Sequence, residues 1–346
     1  MAQINKPNEY FNTKIYTGTG SSNAITGVGF QPDLTWIKNR SAGEEQMWYD
    51  AVRGASKLLR CNGTDAEATT STTVYFNSFD IDGFTVGTET ALNANGQNIV
   101  AWNWKANGAG VSNTDGSITS TVSANTTAGF SIISYTGNGT GGATVGHGLG
   151  QKPACIIVKR RSASMNWGVY HQSLASNEIL QLDVTNAVYA GSGVFNATQP
   201  TASVFYLGSG TAIDNDSGST YIAYCFAEKK GFSKFGSYTG NNSSDGPFIY
   251  TGFKPAWVLF KRSSSNENWS LYDNKRLGYN PQAYGLRPNT DLPESAYGAG
   301  GTAGAVDFVS NGFKIRESGT NINSGTYIYM AFAEQPLVGD NPATAR

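Results

Sequence analysis

The sequence predicts an all-β protein that consists of three homologous β-sandwich units in tandem, each of the jelly-roll or lectin-like kind. Composition is the first observation: of the 346 residues 12 % are aromatic, 14 % are charged and 42 are glycine, a profile typical of pleated strands joined by turns. The second is a set of short apolar runs of period two, separated by clusters of Gly, Asn and Ser. The third is a frame of motifs that occurs three times.

The repeated frame places a Gly three residues before a Pro and a Lys six residues after it, around the start of an apolar run. Its copies are "GFQPDLTWIKNR", "GQKPACIIVKRR" and "GFKPAWVLFKR", with frame residues Gly29/Pro32/Lys38, Gly150/Pro153/Lys159 and Gly252/Pro255/Lys261. A "YTG" motif precedes each copy, and a Tyr follows each Pro after seventeen residues, with Asp50, His171 or Asp273 next. A single strand needs no such fixed spacing. The frame therefore indicates a repeated unit of domain size, longer than a solenoid repeat.

We divide the chain into unit 1 (residues 10–108), unit 2 (residues 129–230) and unit 3 (residues 231–336). Residues 1–9 are predicted as an N-terminal docking arm and residues 337–346 as a C-terminal tail. Residues 109–128 are rich in Gly, Ser, Thr and Asn and are predicted as a linker. Units 2 and 3 abut with almost no spacer, at "AEKKGFSKFGSYTG". The sequence also allows one short helix around residues 51–60, "AVRGASKLLR".

Each unit closes with an alternating strand that has a large face and a smaller one. The large faces are Val100/Trp102/Trp104, Ile222/Tyr224/Phe226 and Ile328/Met330/Phe332. The smaller faces are Ala101/Asn103, Ala223/Cys225 and Ala331/Ala333. The period of two predicts that the large face lies in a core. For the smaller face we favour a second sheet of the same unit over another unit or a partner chain.

No arrangement of residues indicates catalysis, so a non-enzymatic protein without a cofactor is predicted. "GNGTGG" (137–142) fits G-x-G-x-x-G, but the sequence after it cannot start the helix that a phosphate site requires. Neither His147 nor His171 lies beside a Ser or Cys nucleophile in a recognisable motif. The carboxylates form no recurring pair of the kind that glycoside hydrolysis needs, and we interpret them as turn and surface groups.

The turn before each closing strand carries Asn or Asp at alternate positions, followed closely by Gly. The pairs are Asn93/Asn95, Asp214/Asp216 and Asn321/Asn323. Alternating oxygen ligands can bind Ca²⁺, but Asn and Asp also stabilise hairpin turns through their own backbone. Since only the second copy is charged, we predict turns and no metal site, with Asp214 and Asp216 as the one candidate pair of metal ligands.

Candidate ligand-binding residues are the tyrosines and lysines of the frame: Tyr49, Tyr170, Tyr272, Lys38, Lys159 and Lys261. In "NWSLYD", Trp269 and Leu271 share one face and the Tyr lies on the other, among small polar neighbours. If the Trp face is core, each Tyr ring is free to stack on a ligand; the alternative is a packed ring that donates one hydrogen bond. The lysines, at cationic strand ends, could contact phosphate on a cell-surface polymer, or could be solvated groups that resist edge pairing.

Charge and cysteine content exclude several classes of partner. The formal net charge of −1, from 24 Lys+Arg and 25 Asp+Glu, leaves no basic footprint for nucleic acid. No apolar run reaches the length of a membrane span, and the start "MAQINKPNEY" is not typical of a signal peptide. The odd count of three cysteines has no metal-like spacing. We therefore expect free thiols, buried at Cys155 and Cys225, and synthesis in a reducing cytoplasm.

The repeated motifs resemble a poorly characterised repeat family of tailed-bacteriophage structural proteins. The resemblance rests on "GFQPDLTWIKNR", "VRGASKLLR", "FDIDGFTVG" and "IVAWNWKA" in unit 1, and on "GFSKFGSYTGN", "GPFIYTGFKPAWVLFKR" and "YDNKR" in unit 3. It covers nearly the whole chain apart from residues 109–128 and the last dozen residues. The resemblance implies a location on the virion surface, commonly in a tail or fibre, and carries no catalytic residues.

From this resemblance we expect a tail-fibre or receptor-binding component that contacts a host-surface glycan. The first alternative is a capsid decoration protein (head cement or head fibre), and the second is a glycan depolymerase. Repetition suits receptor binding because several weak contacts on one body multiply into avidity. The expected partners are other virion proteins and further copies of the chain, with a homotrimer favoured, whereas nucleic acid and membrane insertion are not expected.

Overall fold

In the computed structural model, which describes residues 3–191, 193–296, 305–336 and 342, the chain is nearly all β. The helical elements of these residues are α1 (Thr90–Asn93) and two 3₁₀ turns, Pro7–Glu9 and Val194–Ala197. The strands form several antiparallel sheets, which confirms the all-β class predicted from composition and periodicity. No helix of the described residues is both long and apolar enough to cross a membrane.

Unit 1 forms a larger and a smaller sheet. Its strands are β1 (Phe11–Thr17), β2 (Asn23–Thr26), β3 (Leu34–Asn39), β4 (Met47–Asp50), β5 (Lys57–Arg60), β6 (Ala68–Thr69), β7 (Phe76–Asp80), β8 (Gly83–Val86) and β9 (Asn98–Trp104). The larger sheet has the order β1-β9-β3-β4-β5-β6 and the smaller one β2-β8-β7. The helix allowed around residues 51–60 is wrong: a turn leads into β5, whose buried Leu58 and Leu59 are held by pairing with β4 and β6.

Unit 2 repeats this plan, and two strands from residues 109–128 extend its larger sheet. Its strands are β10 (Val111–Asn113), β11 (Ser120–Asn125), β12 (Phe130–Thr136), β13 (Thr144–Gly146), β14 (Cys155–Arg160), β15 (Gly168–His171), β16 (Glu178–Gln181), β17 (Tyr189–Ala190), β18 (Val204–Tyr206) and β19 (Thr220–Phe226). The sheet orders are β10-β11-β12-β19-β14-β15-β16-β17 and β13-β18. The linker predicted at residues 109–128 is therefore wrong. Its polar composition conceals β11, which pairs with β12 and buries Val122 in the core of unit 2.

Unit 3 has the same central strand order. Its strands are β20 (Ser233–Thr239), β21 (Phe248–Tyr250), β22 (Phe253–Arg262), β23 (Ser270–Asp273), β24 (Tyr284–Gly285), β25 (Ser295–Ala296), β26 (Val306–Val309), β27 (Gly312–Ile315) and β28 (Thr326–Pro336). The sheet orders are β20-β28-β22-β23, β21-β27-β26 and β24-β25. In each unit the closing strand (β9, β19 or β28) thus lies between the "YTG" strand and the frame strand.

Residues 3–9 lie against the body of the protein instead of extending from it as an arm. Ile4 is buried in the central core, and its backbone N–H donates to Lys230 O at 3.1 Å. The 3₁₀ turn Pro7–Glu9 packs against β28. Residues 1 and 2 of the predicted arm, and the predicted tail 337–346 apart from residue 342, lie outside the described residues.

The smaller face of each closing strand packs on the smaller sheet of its own unit, as predicted. In unit 2, Ala223 of β19 shares a buried cluster with Val145 of β13 and Phe205 of β18. The corresponding clusters join Ala101 of β9 to β8 in unit 1, and Ala331 of β28 to β27 in unit 3. Each unit therefore has its own small core between two sheets.

The large faces of the closing strands lie in one central core that all three units share. All seven tryptophans of the sequence belong to it: Trp36, Trp48, Trp102, Trp104, Trp167, Trp257 and Trp269. The ring of Trp104 in unit 1 lies 6.4 Å from that of Phe226 in unit 2 and 5.6 Å from that of Phe332 in unit 3. The prediction that the large face is core is confirmed, and the partner that covers it is the other two units.

Backbone geometry explains the glycines of the repeated motifs. Gly29, Gly150 and Gly252 have positive φ angles of 90°, 63° and 83°, a conformation that other residues rarely adopt, so each makes the turn before a frame strand. The "YTG" glycines are needed for close approach. A Cβ atom on Gly18 would lie only 2.1 Å from Ala94 O in the turn before the closing strand.

Replacing Trp104 by Ala should destabilise the whole chain and not unit 1 alone, because the indole contacts residues of all three units. We expect the free energy of unfolding to fall by roughly 3–5 kcal/mol, with all three units still unfolding in one transition. Urea unfolding followed by tryptophan fluorescence and by far-UV circular dichroism should give coincident curves.

The control for this substitution is Ile81→Ala, since Ile81 is 89 % exposed and its truncation should leave the free energy of unfolding nearly unchanged. Separate unfolding transitions for the three units would contradict the shared core.

Candidate functional site

The three frame lysines are buried and join neighbouring units. Lys38, Lys159 and Lys261 are 0, 0 and 1 % exposed. The carbonyl acceptors in a neighbouring unit are Asp291 O for Lys38 (2.9 Å), Thr64 O for Lys159 (2.7 Å) and Thr185 O for Lys261 (3.2 Å). Burial lowers the pKa of each lysine to about 8. The prediction that these strand ends are open to phosphate or to solvent is therefore wrong, because the ammonium groups donate hydrogen bonds to carbonyl oxygens of the protein.

The lysine contacts follow a cyclic order. A loop of unit 1 docks on unit 2, a loop of unit 2 on unit 3, and a loop of unit 3 on unit 1. Backbone hydrogen bonds repeat this order: Glu67 N to Arg161 O (2.9 Å), Val188 N to Ser263 O (3.0 Å) and Glu294 N to Arg40 O (3.0 Å). The three units therefore form a closed ring of contacts within one chain.

The three frame tyrosines are core residues of their own units. Tyr49, Tyr170 and Tyr272 are 0, 2 and 0 % exposed, and the ring of Tyr49 stacks on that of Phe76 with centroids 4.7 Å apart. All four residues of β4, β15 and β23 are buried, so the face opposite the tryptophan face is not a solvent face. The prediction that these rings are free to stack on a ligand is therefore wrong, and the packed alternative holds.

The candidate metal ligands Asp214 and Asp216 stabilise the turn before β19. The carboxylate of Asp214 accepts hydrogen bonds from the Phe195 backbone N–H (2.7 Å) and from the Thr211 hydroxyl. Asp216 Oδ2 pairs with Arg160 at 2.6 Å. Among the described residues, no three or more His, Cys, Asp or Glu side chains gather in a way that could hold a metal ion.

The residues that follow the frame tyrosines make the polar contacts of the central core. Each one reaches the closing strand of the next unit in the same cyclic order. The contacts are Tyr224 Oη to Asp50 Oδ2 (2.7 Å), His171 Nε2 to Tyr329 O (3.1 Å) and Trp102 Nε1 to Asp273 Oδ2 (3.1 Å). These three hydrogen bonds connect each unit to the closing strand of the next one.

Four charged side chains form a network where unit 1 meets unit 2. Arg53 pairs with Asp50, both with fully buried side chains, and lies 3.4 Å from Glu67. Glu67 pairs at 2.7 Å with Arg161 of unit 2. Burial raises the pKa of Glu67, but hydrogen bonds and charges from the two arginines outweigh it and hold that pKa below its usual value.

The same network occurs where unit 3 meets unit 1, and it is absent where unit 2 meets unit 3. Where unit 3 meets unit 1, the distances are 2.6 Å for Arg276–Asp273, 3.0 Å for Arg276–Glu294 and 2.7 Å for Arg40–Glu294. Where unit 2 meets unit 3, the corresponding residues are His171, Leu174, Val188 and Ser263. Leu174 lies in the central core, so an apolar side chain takes the place of a buried arginine.

The buried histidines use both ring nitrogens in hydrogen bonds to the backbone. Nε2 of His171 donates to Tyr329 O, and Nδ1 accepts from Ser173 N at 3.2 Å. This arrangement requires a neutral ring, and burial lowers the pKa of His171 to about 4. His147 is held in the same way, since its Nδ1 accepts from Leu149 N at 3.2 Å. These contacts give both histidines a structural role.

Open clefts lie among the described residues of unit 3 and at its joint with unit 2. One, which we call the Glu334 cleft, has a volume of about 520 Å³ and includes Lys254, Lys275 and Tyr279 among its lining residues. Both of its lysines pair with Glu334, at 3.2 and 3.8 Å. The positive charges of this cleft are thus largely neutralised by a carboxylate of the protein.

The other cleft, which we call the joint cleft, lies where units 2 and 3 meet. It has a volume of about 510 Å³, and its lining includes Lys229, Lys230, Lys234, Glu228 and Tyr250. Its volume lies in the range of small-ligand sites, and most of its lining side chains are polar or charged. Sequence reasoning missed it, although the lysine pair in "AEKKGFSK" marks the joint.

Residues 6–336 match the sequence model of a known protein family, which is a domain of unknown function (DUF7483). The match starts before β1, runs through all three units and ends with β28. A search of curated proteins gives no match.

Replacing Arg53 by Leu should cost roughly 3–5 kcal/mol of unfolding free energy, because the Asp50 carboxylate is then buried without its partner. The fourfold variant Asp50→His/Arg53→Leu/Glu67→Val/Arg161→Ser carries the residues found at the junction between units 2 and 3. It should lose less unfolding free energy than Arg53→Leu alone. Chemical unfolding of both variants measures this. Lys6→Leu is the matched control, since Lys6 and Glu9 form an exposed pair of the same spacing, where a loss below about 1 kcal/mol is expected. Equal losses for Arg53→Leu and Lys6→Leu would contradict the buried network.

Replacing His171 by Gln should remove an acid sensitivity of the fold. Between pH 6.5 and about 4 the unfolded chain binds a proton at His171 that the native chain does not, so the native state loses stability as the pH falls, by up to about 3 kcal/mol. Asp33 acts in the opposite sense, since burial raises its carboxyl pKa to about 6. The difference between wild type and His171→Gln, measured by urea unfolding at pH 7 and 4.5, isolates the histidine. Parallel stability profiles for the two proteins would contradict the prediction.

Proposed function

The chain belongs to the DUF7483 family, and on that premise we propose that it is a non-enzymatic structural protein of a bacteriophage virion. Its proposed role is that of a tail-fibre or receptor-binding component that contacts a glycan on the host surface. We propose that it is made in the host cytoplasm and displayed on the virion surface, with other virion proteins as its partners.

The observation that carries this proposal is the closed ring of three units around one core. All three large faces are covered within the chain, which leaves a rigid body whose outer surfaces and clefts are available for contact. Such a body suits a protein that must keep its shape while it presents binding surfaces. The resemblance of the repeated motifs to tailed-bacteriophage structural proteins supports the virion location.

We further propose that each unit is a β-sandwich of the jelly-roll or lectin-like kind. The support is the recurrence in each unit of a larger and a smaller sheet with a buried cluster of their side chains. Lectin-like folds present loops and clefts to sugars from such a scaffold. The homotrimer remains a prediction, and it would have to form through outer surfaces because the large faces are already occupied.

A non-enzymatic role is supported by the use of the buried reactive groups in structural contacts. The carboxylates of Asp50 and Asp273 pair with Arg53 and Arg276. The three cysteines are free and buried, as expected for Cys155 and Cys225, and burial raises their thiol pKa values. Release of oligosaccharides from host envelope polysaccharide by the purified protein would overturn this part of the proposal and favour a depolymerase.

Labelled antibody against the chain, applied to intact particles of the phage that encodes it, should mark the tail in electron micrographs. Purified protein should also compete with the phage for adsorption to host cells. Antibody against the major capsid protein of the same phage serves as the control for labelling. Capsid labelling by the first antibody would end the receptor proposal and favour the decoration protein, whereas labelling of neither structure would contradict a virion location.

A further inference from the structure

We propose that the joint cleft binds an acidic sugar, with Lys229 and Lys230 pairing with its anionic group and Tyr250 covering its ring. This rests on the proposed function only in taking the ligand to be a glycan of the host surface. The shared chemistry is a carboxylate or phosphate group on a saccharide, and the experiment below distinguishes the two.

The first observation is a pair of lysines without a counterion. Neither Lys229 nor Lys230 forms an ion pair with any described residue, whereas the neighbouring Lys234 pairs with Glu228 at 2.6 Å. Burial, with no opposing carboxylate, lowers the pKa of Lys229. A cation that has lost part of its hydration and has no counterion gains more from a bound anion than a fully solvated one does.

The second observation is that the turn carrying these lysines is rigid. Ser233 N and Phe232 N donate to Lys229 O at 2.9 and 3.0 Å, and Lys229 N donates to Ser233 Oγ at 3.0 Å. Gly231 has a φ of 77°, and the Lys230 carbonyl accepts from Ile4 N. The backbone of the site is thus organised before any ligand arrives, which lowers the entropy cost of binding.

The stem of Lys229 is also held in place. A Cβ atom on Gly129 would lie 2.8 Å from Lys229 Cε and 2.9 Å from Lys229 Cγ, so the lysine stem packs directly on the glycine backbone. This packing restricts the direction of the Lys229 side chain, and Lys229 lines the cleft. The absence of a side chain at Gly129 leaves the space that this close packing of the Lys229 stem requires.

The aromatic wall of the cleft is Tyr250, whose side chain would otherwise be an unexplained exposed ring. Tyr250 is 58 % exposed and lies on β21, where Phe248 shares its face and is 47 % exposed. The Tyr250 ring folds back over Gly252, with its hydroxyl 3.6 Å from where a Cβ would lie. An exposed ring with a polar tip beside two cations suits a ligand that combines an apolar ring face with an anion.

The charge pattern favours a small anionic ligand over a nucleic acid. Three lysines and one glutamate line the cleft, while the whole chain has a net charge of −1. Two unpaired lysines cannot follow a phosphate backbone, but they can bind one or two anionic groups of a sugar.

Ligand-observed NMR titrations of the full chain should show binding of trigalacturonate or of glucose 1-phosphate at millimolar concentration, and no binding of neutral maltotriose. The ratio of the two affinities identifies carboxylate or phosphate as the preferred anion. Binding should weaken as NaCl rises from about 50 to about 500 mM. Lys229→Met/Lys230→Met keeps the stems, removes both charges and should weaken binding at least about tenfold. Tyr250→Ala should weaken it several-fold.

The matched control is Lys254→Met/Lys275→Met, which removes two lysines from the Glu334 cleft and should leave binding unchanged. Urea unfolding confirms that each variant is folded before titration. Equal binding of maltotriose, equal losses in the two lysine pairs, or failure of both anionic probes to bind would overturn the proposal. Because the titrations use purified protein and simple sugars, the site can be confirmed even if antibody marks the capsid, and can fail even if it marks the tail.

Discussion

The need to cover three large apolar faces is the constraint on which the rest of this structure depends. The larger sheet of each unit is apolar on both sides, and its own smaller sheet covers only one of them. The remaining faces carry all seven tryptophans, and each is covered by the other two units in a single core. Aromatic rings of this size dominate the hydrophobic free energy of a domain. A unit taken alone would expose its tryptophan face to water, so folding of one unit is coupled to that of its neighbours.

The polar contacts across the core vary in a way that fits this coupling. At two junctions, a Glu bridges an Asp–Arg pair to an Arg of the next unit. At the third junction, the four corresponding positions hold only uncharged residues, one of which is the neutral His171. A partial change would bury an unpaired charge, which costs several kcal/mol, while a complete change is close to neutral. The junction between units 2 and 3 is therefore an alternative solution and not a defect. His171 still supplies the inter-unit hydrogen bond by reaching the carbonyl of Tyr329, since the side chain of the neighbouring Met330 offers no donor.

The sequence was informative wherever a signal is local. Period-two runs predicted the strands, and the repeated frame marks the strands β3, β14 and β22, each of which lies beside a closing strand. Periodicity shows that a face is buried but not what covers it, so the shared core could not be predicted. The same limit explains the errors at Tyr49 and Lys38: both faces of β4 are buried, and a lysine that reaches carbonyls of another unit has the same local pattern as a solvated strand end. The polar composition of residues 109–128 concealed β11 for a related reason, since its pairing with β12 leaves no mark on the local composition.

The three units also differ at the edges of their larger sheets, and the joint cleft lies where they differ. In unit 2, β11 covers the outer edge of β12, whereas in unit 3 the corresponding strand β20 is the edge of its sheet. The start of β20, at Ser233 and Lys234, lines the cleft, so the cleft lies beside an edge to which no strand of the described residues is added. Edge strands of natural proteins are commonly protected by charge, and the lysines of this joint meet that need. Lys229 goes beyond it, because protection against pairing does not require a partly desolvated ammonium group with its stem packed on Gly129.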